Sequence, residues 1–277
     1  MTTMQQDFAG RAFVVTGGGT GIGHACAAGL AARGAHVVIC GRTESALAAS
    51  ASRIGDQLSG NGSVAYVAAD ASDEIAMSRV VEAALDVAGR LDGMVANAGG
   101  GGMPGAMHQI SVDEFQRVLT SNIISTLVTM KAGIAPMREA GGGALVLISS
   151  LNGDARVAAK YTGAYSAAKA AIDQMARVAA AEYGGDGIRV NSIRPGYIHT
   201  EINDKYVGEG TLFHQSCRAN VPLAGPLGQP GDVAELACFL LGEGARWITG
   251  QAISVDGGQS LHAAPDSSEL LKAAGLA

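Results

Sequence analysis

Short β-branched runs alternate along the chain with longer alanine-rich segments whose apolar residues recur at helical spacing. The runs at 12–16, 36–40, 64–68, 93–96, 144–149, 189–193 and 252–255 predict seven strands. Segments near 22–32, 44–58, 74–88, 112–139, 163–183 and 231–241 predict the helices between them. Neighbouring parallel strands need a crossover of about a dozen residues, usually a helix, and the helices then cover both faces of the sheet. The pattern therefore predicts an α/β fold: a doubly wound, seven-stranded parallel sheet in a three-layer α/β/α sandwich, with 1–277 as a single domain. Right-handed crossovers place a crevice at the carboxyl ends of the strands, where the strand order reverses beside the first strand.

Two stretches break the alternation and should border that crevice: 98–111, with four consecutive glycines, and 197–229, expected to form a mobile substrate lid. Residues 257–277 read as a C-terminal extension, in which Asp266 and Glu269 have capping-box spacing ahead of Leu270 and Leu271 and predict a short helix. No internal repeat is present.

Composition narrows the function classes. With 48% hydrophobic residues in 277, the chain can build a large core, and its 40 glycines against 7 prolines cluster at strand-to-helix turns. The net charge of −6 is spread without acidic or basic blocks, which argues against a nucleic-acid partner. No apolar run approaches the roughly 20 residues of a membrane helix, and the polar start from Met1 to Asp7 lacks a secretory core, so a soluble, cytoplasmic protein without a membrane partner is expected. Cys26, Cys40, Cys217 and Cys238 show no metal-ligand spacing and read as reduced, mostly buried residues. His24, His36, His108, His199, His214 and His262 are equally unpatterned, so no metal is expected. Trp247 reads as packing beside the last strand, and Arg156 and Lys160 as solvated loop charges.

The first strand runs into Thr16-Gly17-Gly18-Gly19-Thr20-Gly21-Ile22-Gly23 and then directly into a helix. Gly17 would permit a tight turn, Gly21 a close approach of backbone to a pyrophosphate, and Gly23 close packing of helix on strand. The helix N-terminus would offer its unpaired N–H groups and positive dipole end to the phosphates.

This spacing departs from G-x-G-x-x-G and resembles the TGxxxGxG signature of the short-chain dehydrogenase/reductase family, a Rossmann-type fold. The resemblance extends through Asp70, Asn97-Ala98-Gly99, Asn122, Ser150, Tyr165 with Lys169, and Pro195-Gly196 with Thr200. It implies a cofactor site that takes in Gly17, Gly19, Thr20, Gly21, Ile22 and Gly23 together with Asp70, Ala71, Asn97, Ala98, Gly99, Tyr165, Lys169, Pro195, Gly196, Ile198 and Thr200. Asp70 is implied to meet the adenine region, Asn97 to steady the sheet near the ribose, and Thr200 to meet the nicotinamide carboxamide; Asp70 equally reads as a cap for the next helix.

An NAD-preferring site carries a carboxylate about 20 residues past the glycines, on the ribose hydroxyls. Here the second strand ends in Cys40-Gly41-Arg42-Thr43. Arg42 could hold a 2′-phosphate by charge-assisted hydrogen bonds, so NADP is the expected cofactor. If Arg42 is only a solvated residue opening the next helix, dual use with NAD stays open.

Tyr165-Ser166-Ala167-Ala168-Lys169 puts a phenol and an ammonium four residues apart, on one face of a helix. A tyrosine titrates at about 10, too high for a base at neutral pH, and a neighbouring cation lowers it. Ser150, at the carboxyl edge of its strand, can hydrogen-bond a substrate carbonyl oxygen; its neighbour Ser149 should face the other way. The Ser-to-Tyr spacing is two residues longer than the family's common one, which implies an insertion within 153–161. Asn122 is implied to mark a helix kink beside the catalytic lysine, with a buried backbone-capping amide as the other reading.

The chemistry these residues imply is hydride exchange between a nicotinamide and a carbonyl or secondary alcohol, with Tyr165 exchanging the proton. Reduction of an enoyl- or dienoyl-thioester, or cofactor sensing without turnover, would share the fold. The resemblance also implies a homotetramer built through 112–139 and 163–183. No residue identifies the substrate.

Overall fold

The computed structural model describes residues 6–201, 203–204, 209–261 and 272. Seven parallel strands form one sheet in the order β3-β2-β1-β4-β5-β6-β7. They are β1 (Ala12–Thr16), β2 (His36–Gly41), β3 (Ser63–Ala68), β4 (Gly93–Ala96), β5 (Gly143–Ile148), β6 (Ile188–Pro195) and β7 (Ala252–Val255). Side chains alternate across the sheet: Phe13 and Val15 enter one apolar core and Val14 the other, while Val146 and Ile148 of β5 oppose Leu145 and Leu147. The first core is covered by α1 (Gly21–Ala32), α2 (Glu44–Gly55) and the late helix Pro230–Leu241; the second by α3 (Glu74–Ala88), Ser125–Glu139 and Gly163–Tyr183. Because β1 lies between β2 and β4, the chain changes direction there, and the crevice opens above the ends of β1 and β4.

The expected helix over 112–139 is interrupted. It consists of α4 (Val112–Leu119), a π-helical turn over Thr120–Ile124, and α5 (Ser125–Glu139). By length and composition this run could cross a bilayer, contrary to the expectation of no such stretch; its most apolar window has mean hydropathy 1.3 and is half buried within the fold, as a core helix is. After α6 (Gly163–Tyr183), the stretch 197–229 contains an unexpected helix, α7 (Leu212–Ala219), whose N-cap Thr211 accepts a bond from the His214 N–H at 3.1 Å. The last helix, α8 (Pro230–Leu241), begins with a capping box between Gln229 and Asp232.

Trp247 does not pack beside β7 as expected; it is 96% exposed, at the end of the sheet opposite the crevice. All four cysteines are buried and free, and burial pushes the thiols of Cys40, Cys217 and Cys238 up to about 12. The predicted helix at Asp266 to Leu271 lies outside the described residues.

Candidate active site

The glycine turn forms because β1 must reverse into α1 within a few residues. Gly17 and Gly21 hold φ of +65° and +54°, in the left-handed region. A methyl group on Gly23 would lie 2.1 Å from the Gly17 carbonyl oxygen, so only glycine lets α1 sit this close to the turn. Asn97 fixes the turn from β4: its Nδ2 donates to the Thr16 and Gly17 carbonyls at 3.1 and 3.2 Å, and its N–H donates to Thr16 Oγ1 at 3.0 Å. Thr20, the N-cap of α1, makes no side-chain cap. The first-turn N–H groups around Gly21, Ile22 and Gly23 are thus not covered by a protein oxygen from the cap, as an anion site requires.

This turn opens onto a cavity of about 530 Å³ walled by Gly17, Gly19, Thr20, Arg42, Asp70, Ala71, Ala98 and Gly99. Arg42 stands exposed at the end of β2. The Asp70 carboxylate accepts from Ser72 N–H at 2.9 Å and Ser72 Oγ at 2.7 Å; these bonds, aided by the charge of Arg42, hold it below the usual carboxylate range. Asp70 does not cap α3: that role belongs to Asp73, which accepts from the Ala76 N–H at 2.9 Å. The cavity also has on its wall Arg117 of α4, Thr120 and Ser121 of the π turn and Ser125 at the start of α5, which the sequence pattern did not single out because a π turn does not register in a 3.6-residue repeat. Pro195 ends β6 and Gly196 follows it, and buried Ile198 pairs with Gly228. Thr200 closes on the glycine turn, its Cγ2 3.3 Å from where a side chain on Gly21 would begin. The uncapped helix start, the glycine cradle and the free cation at the end of β2 together fit a dinucleotide.

The second half of the site meets this cavity at the strand ends. Tyr165 lies in the first turn of α6, and the Lys169 Nζ stands 5.5 Å from its ring centroid. Lys169 is buried and donates to the Ile148 carbonyl at 2.8 Å. Burial lowers its ammonium to about 8, and Asp173 one turn further on pulls in the other direction. Burial raises the Tyr165 phenol, opposed by a hydrogen bond with Ser150. Ser150 stands past the end of β5, partly exposed, whereas Ser149 is buried and donates to the Lys169 carbonyl at 2.9 Å. Of the two adjacent serines, Ser149 braces α6 and Ser150 meets the phenol.

Asn122 sits in the π turn. Its Nδ2 donates to the Gly100 and Val118 carbonyls, both at 2.9 Å, while its buried Oδ1 has no partner among the described residues. Asn122 Oδ1 and Lys169 Nζ both border Gly99, 2.5 and 3.5 Å from where a side chain there would begin. The capping role and the position beside the lysine are held by one residue. In the inserted loop, Arg156 is 70% exposed and pairs with Asp154 at 2.8 Å. Tyr161 adopts φ +66° just before α6, and its carbonyl accepts from Gly105 N–H at 3.0 Å, tying the two loops at the crevice mouth together. Among the described residues no cluster of His, Cys, Asp and Glu could hold a metal ion.

A parallel sheet with a glycine turn at its switch point, and a Ser, Tyr and Lys set at the same edge, defines a nicotinamide-dependent oxidoreductase of the classical α/β kind. A family model described as "Enoyl-(Acyl carrier protein) reductase" matches residues 17–260. The chain is similar to a cis-4-hydroxycyclohexanecarboxylate dehydrogenase of Sinomonas cyclohexanicum, 35% identical over 92% of this chain and 98% of that one. It also resembles a glucose 1-dehydrogenase of Gluconobacter oxydans, 32% identical over 92% and 94%. Among solved structures, a short-chain type dehydrogenase/reductase from Mycobacterium ulcerans superposes with TM-score 0.92 at 37% identity over 96% of each chain. Levodione reductase superposes with TM-score 0.83 at 29% identity over 92% and 99%. The chain belongs to the short-chain dehydrogenase/reductase family, and it is an oxidoreductase of alcohol and carbonyl substrates that uses NAD(P).

Proposed function

We propose that this enzyme is an NADP(H)-dependent carbonyl reductase or secondary-alcohol dehydrogenase in which Tyr165 exchanges the proton. The observation that carries the reading is the convergence of Tyr165, Lys169 and Ser150 at the strand ends beside the glycine turn. When bound, the nicotinamide supplies or takes up a hydride at the substrate carbon. Ser150 donates a hydrogen bond to the substrate oxygen, and Tyr165 delivers its phenolic proton to that same oxygen. The Lys169 ammonium then stabilises the phenolate left behind, with the Asn122 amide near it beside Gly99. Oxidation runs the same path in reverse.

The preference for NADP rests on Arg42: it stands exposed on the wall of the cofactor cavity, with no acidic residue in the Cys40-Gly41-Arg42-Thr43 turn. A cytoplasmic homotetramer joined through the α4–α5 run and α6 belongs to the same reading, supported by the exposed apolar side chains Ile124, Leu127 and Val178. The matching family's link to enoyl reductases favours one competitor, reduction of an enoyl-thioester.

Tyr165→Phe is the decisive variant. It should retain cofactor binding by fluorescence titration and lose turnover against a panel of ketones and secondary alcohols that includes 4-hydroxycyclohexanecarboxylate. Near-normal turnover would remove Tyr165 as the proton donor. Crotonyl-thioester reduced faster than every ketone would favour the competing reaction.

A further inference from the structure

The face of β6 that meets α6 changes chemistry along its length. Ile188 and Val190 are buried and apolar, packed with Ile172 and Ala176 of α6; the next two residues on that face are Ser192 and Arg194. Both reach one carboxylate. Ser192 Oγ donates to Asp173 Oδ1 at 2.7 Å, and Arg194 Nε donates to Asp173 Oδ2 at 2.7 Å. The other arm of Arg194, Nη1, donates to Asp154 Oδ2 at 2.7 Å. The carboxylates are 3% and 4% exposed and the guanidinium 12%, so the chain Asp173–Arg194–Asp154 is buried almost throughout.

These three charges sit on the three segments that build the reacting centre. Asp173 is one helical turn beyond Lys169, Arg194 immediately precedes Pro195-Gly196, and Asp154 closes the turn that follows Ser150. Two further contacts join the same segments: Ser149 Oγ donates to the Lys169 carbonyl, and a side chain on Gly153 would begin 2.8 Å from that carbonyl. Stability alone is a poor reason for such an arrangement. Taking charges out of water is costly, and apolar residues of the same volume often hold a core as well or better. What a buried ionic chain adds is direction, since charge-assisted bonds to a guanidinium fix both distance and angle.

We propose that Asp173, Arg194 and Asp154 form a positioning network that holds the Lys169 turn, the Ser150 turn and the Pro195-Gly196 corner in one fixed relation for proton and hydride transfer. This rests on the catalytic reading of Ser150, Tyr165 and Lys169. The network touches no reacting atom; it acts through Lys169 and Ser150. The groups around Lys169 make its electrostatic consequence definite. On α6 they are Tyr165 and Asp173, on β6 Arg194, and after β5 Asp154; β5 contributes the Ile148 carbonyl and the π turn the neutral Asn122 amide. On α4, which also packs on α6, Glu114 and Arg117 pair with each other and Asp113 is exposed. Asp173 is thus the anion that favours the Lys169 ammonium against its burial.

The test compares Asp173→Asn, Asp154→Asn and Tyr165→Phe in the full chain, with kcat referred to the folded fraction from thermal melts. Asp173→Asn should lower kcat between roughly 10- and 100-fold. It should leave the cofactor KM within about twofold. It should also move the alkaline limb of carbonyl reduction down by about one pH unit, because Lys169 then loses its proton earlier. Asp154→Asn keeps the Asp173–Arg194 pair and should lower kcat without moving that limb. Wild-type kcat and an unmoved limb in folded Asp173→Asn would overturn the proposal. If that variant does not fold, wild-type kcat in Asp154→Asn overturns it instead. In either case an inactive Tyr165→Phe shows that the catalytic reading still stands, whereas an active one sinks that reading first.

Discussion

Lys169 shows how burial and charge divide the work at a single residue. Its ammonium, at about 8, is present below that pH and lost above it. Tyr165, raised by burial, stays protonated through neutrality and can serve as the acid. Carbonyl reduction should therefore hold steady through neutral pH and fall as pH rises past about 8, when the cation that stabilises the phenolate disappears; a pH profile of kcat with NADPH checks this. Arg42 gives a prediction of a different kind. A hydrogen bond to a charged group contributes about 1.5–3 kcal/mol, so Arg42→Ala should raise the NADPH Kd by roughly 10-fold or more while leaving that of NADH nearly unchanged. Equal losses for both cofactors in paired titrations would remove the phosphate role. Gly23→Ala would force a methyl to within 2.1 Å of a backbone oxygen, and overpacking of this kind costs about 1–3 kcal/mol. A lowered Tm and weakened cofactor binding should appear together.

At the scale of elements, the central strands were readable because a strand buried on both faces is a nearly continuous apolar run, as in Phe13-Val14-Val15 and Leu145-Val146-Leu147-Ile148. The glycine turn was readable for a related reason: its conformations exclude other residues. The break at Thr120–Ile124 was legible only through the resemblance, which marks Asn122 as a kink, and not in the pattern itself, because a π turn shifts the helical phase by one residue without changing composition. It is held by a tertiary bond from Asn122 Nδ2 to the Gly100 carbonyl and by a local one from Thr126 Oγ1 back to the Asn122 carbonyl at 2.7 Å. Nor was the Asp173–Arg194–Asp154 chain legible, although each member carried a trace: Asp173 stands four residues after Lys169, and Ser192 and Arg194 interrupt an apolar face at period two. Only the packing of α6 on β6 shows that the three belong together. Asp70 illustrates the opposite case, where a plausible cap in sequence is displaced by Asp73 once the helix start is fixed.

For the whole molecule, the sheet order explains why distant segments share one site. Residues of the glycine turn, the end of β4, the turn after β5, α6 and the end of β6 all lie at the carboxyl edge of consecutive parallel strands, so the fold delivers them to one crevice. The stretch 197–229 and the mouth loops, by contrast, carry little that periodicity can read. The most direct measurement is turnover of a ketone panel with NADPH carrying deuterium at both positions of the nicotinamide C4, followed by mass spectrometry of the alcohol formed. The account predicts deuterium on the carbinol carbon for wild type and no product for Tyr165→Phe. Alcohol formed without the label, or labelled alcohol formed equally well by Tyr165→Phe, would contradict it.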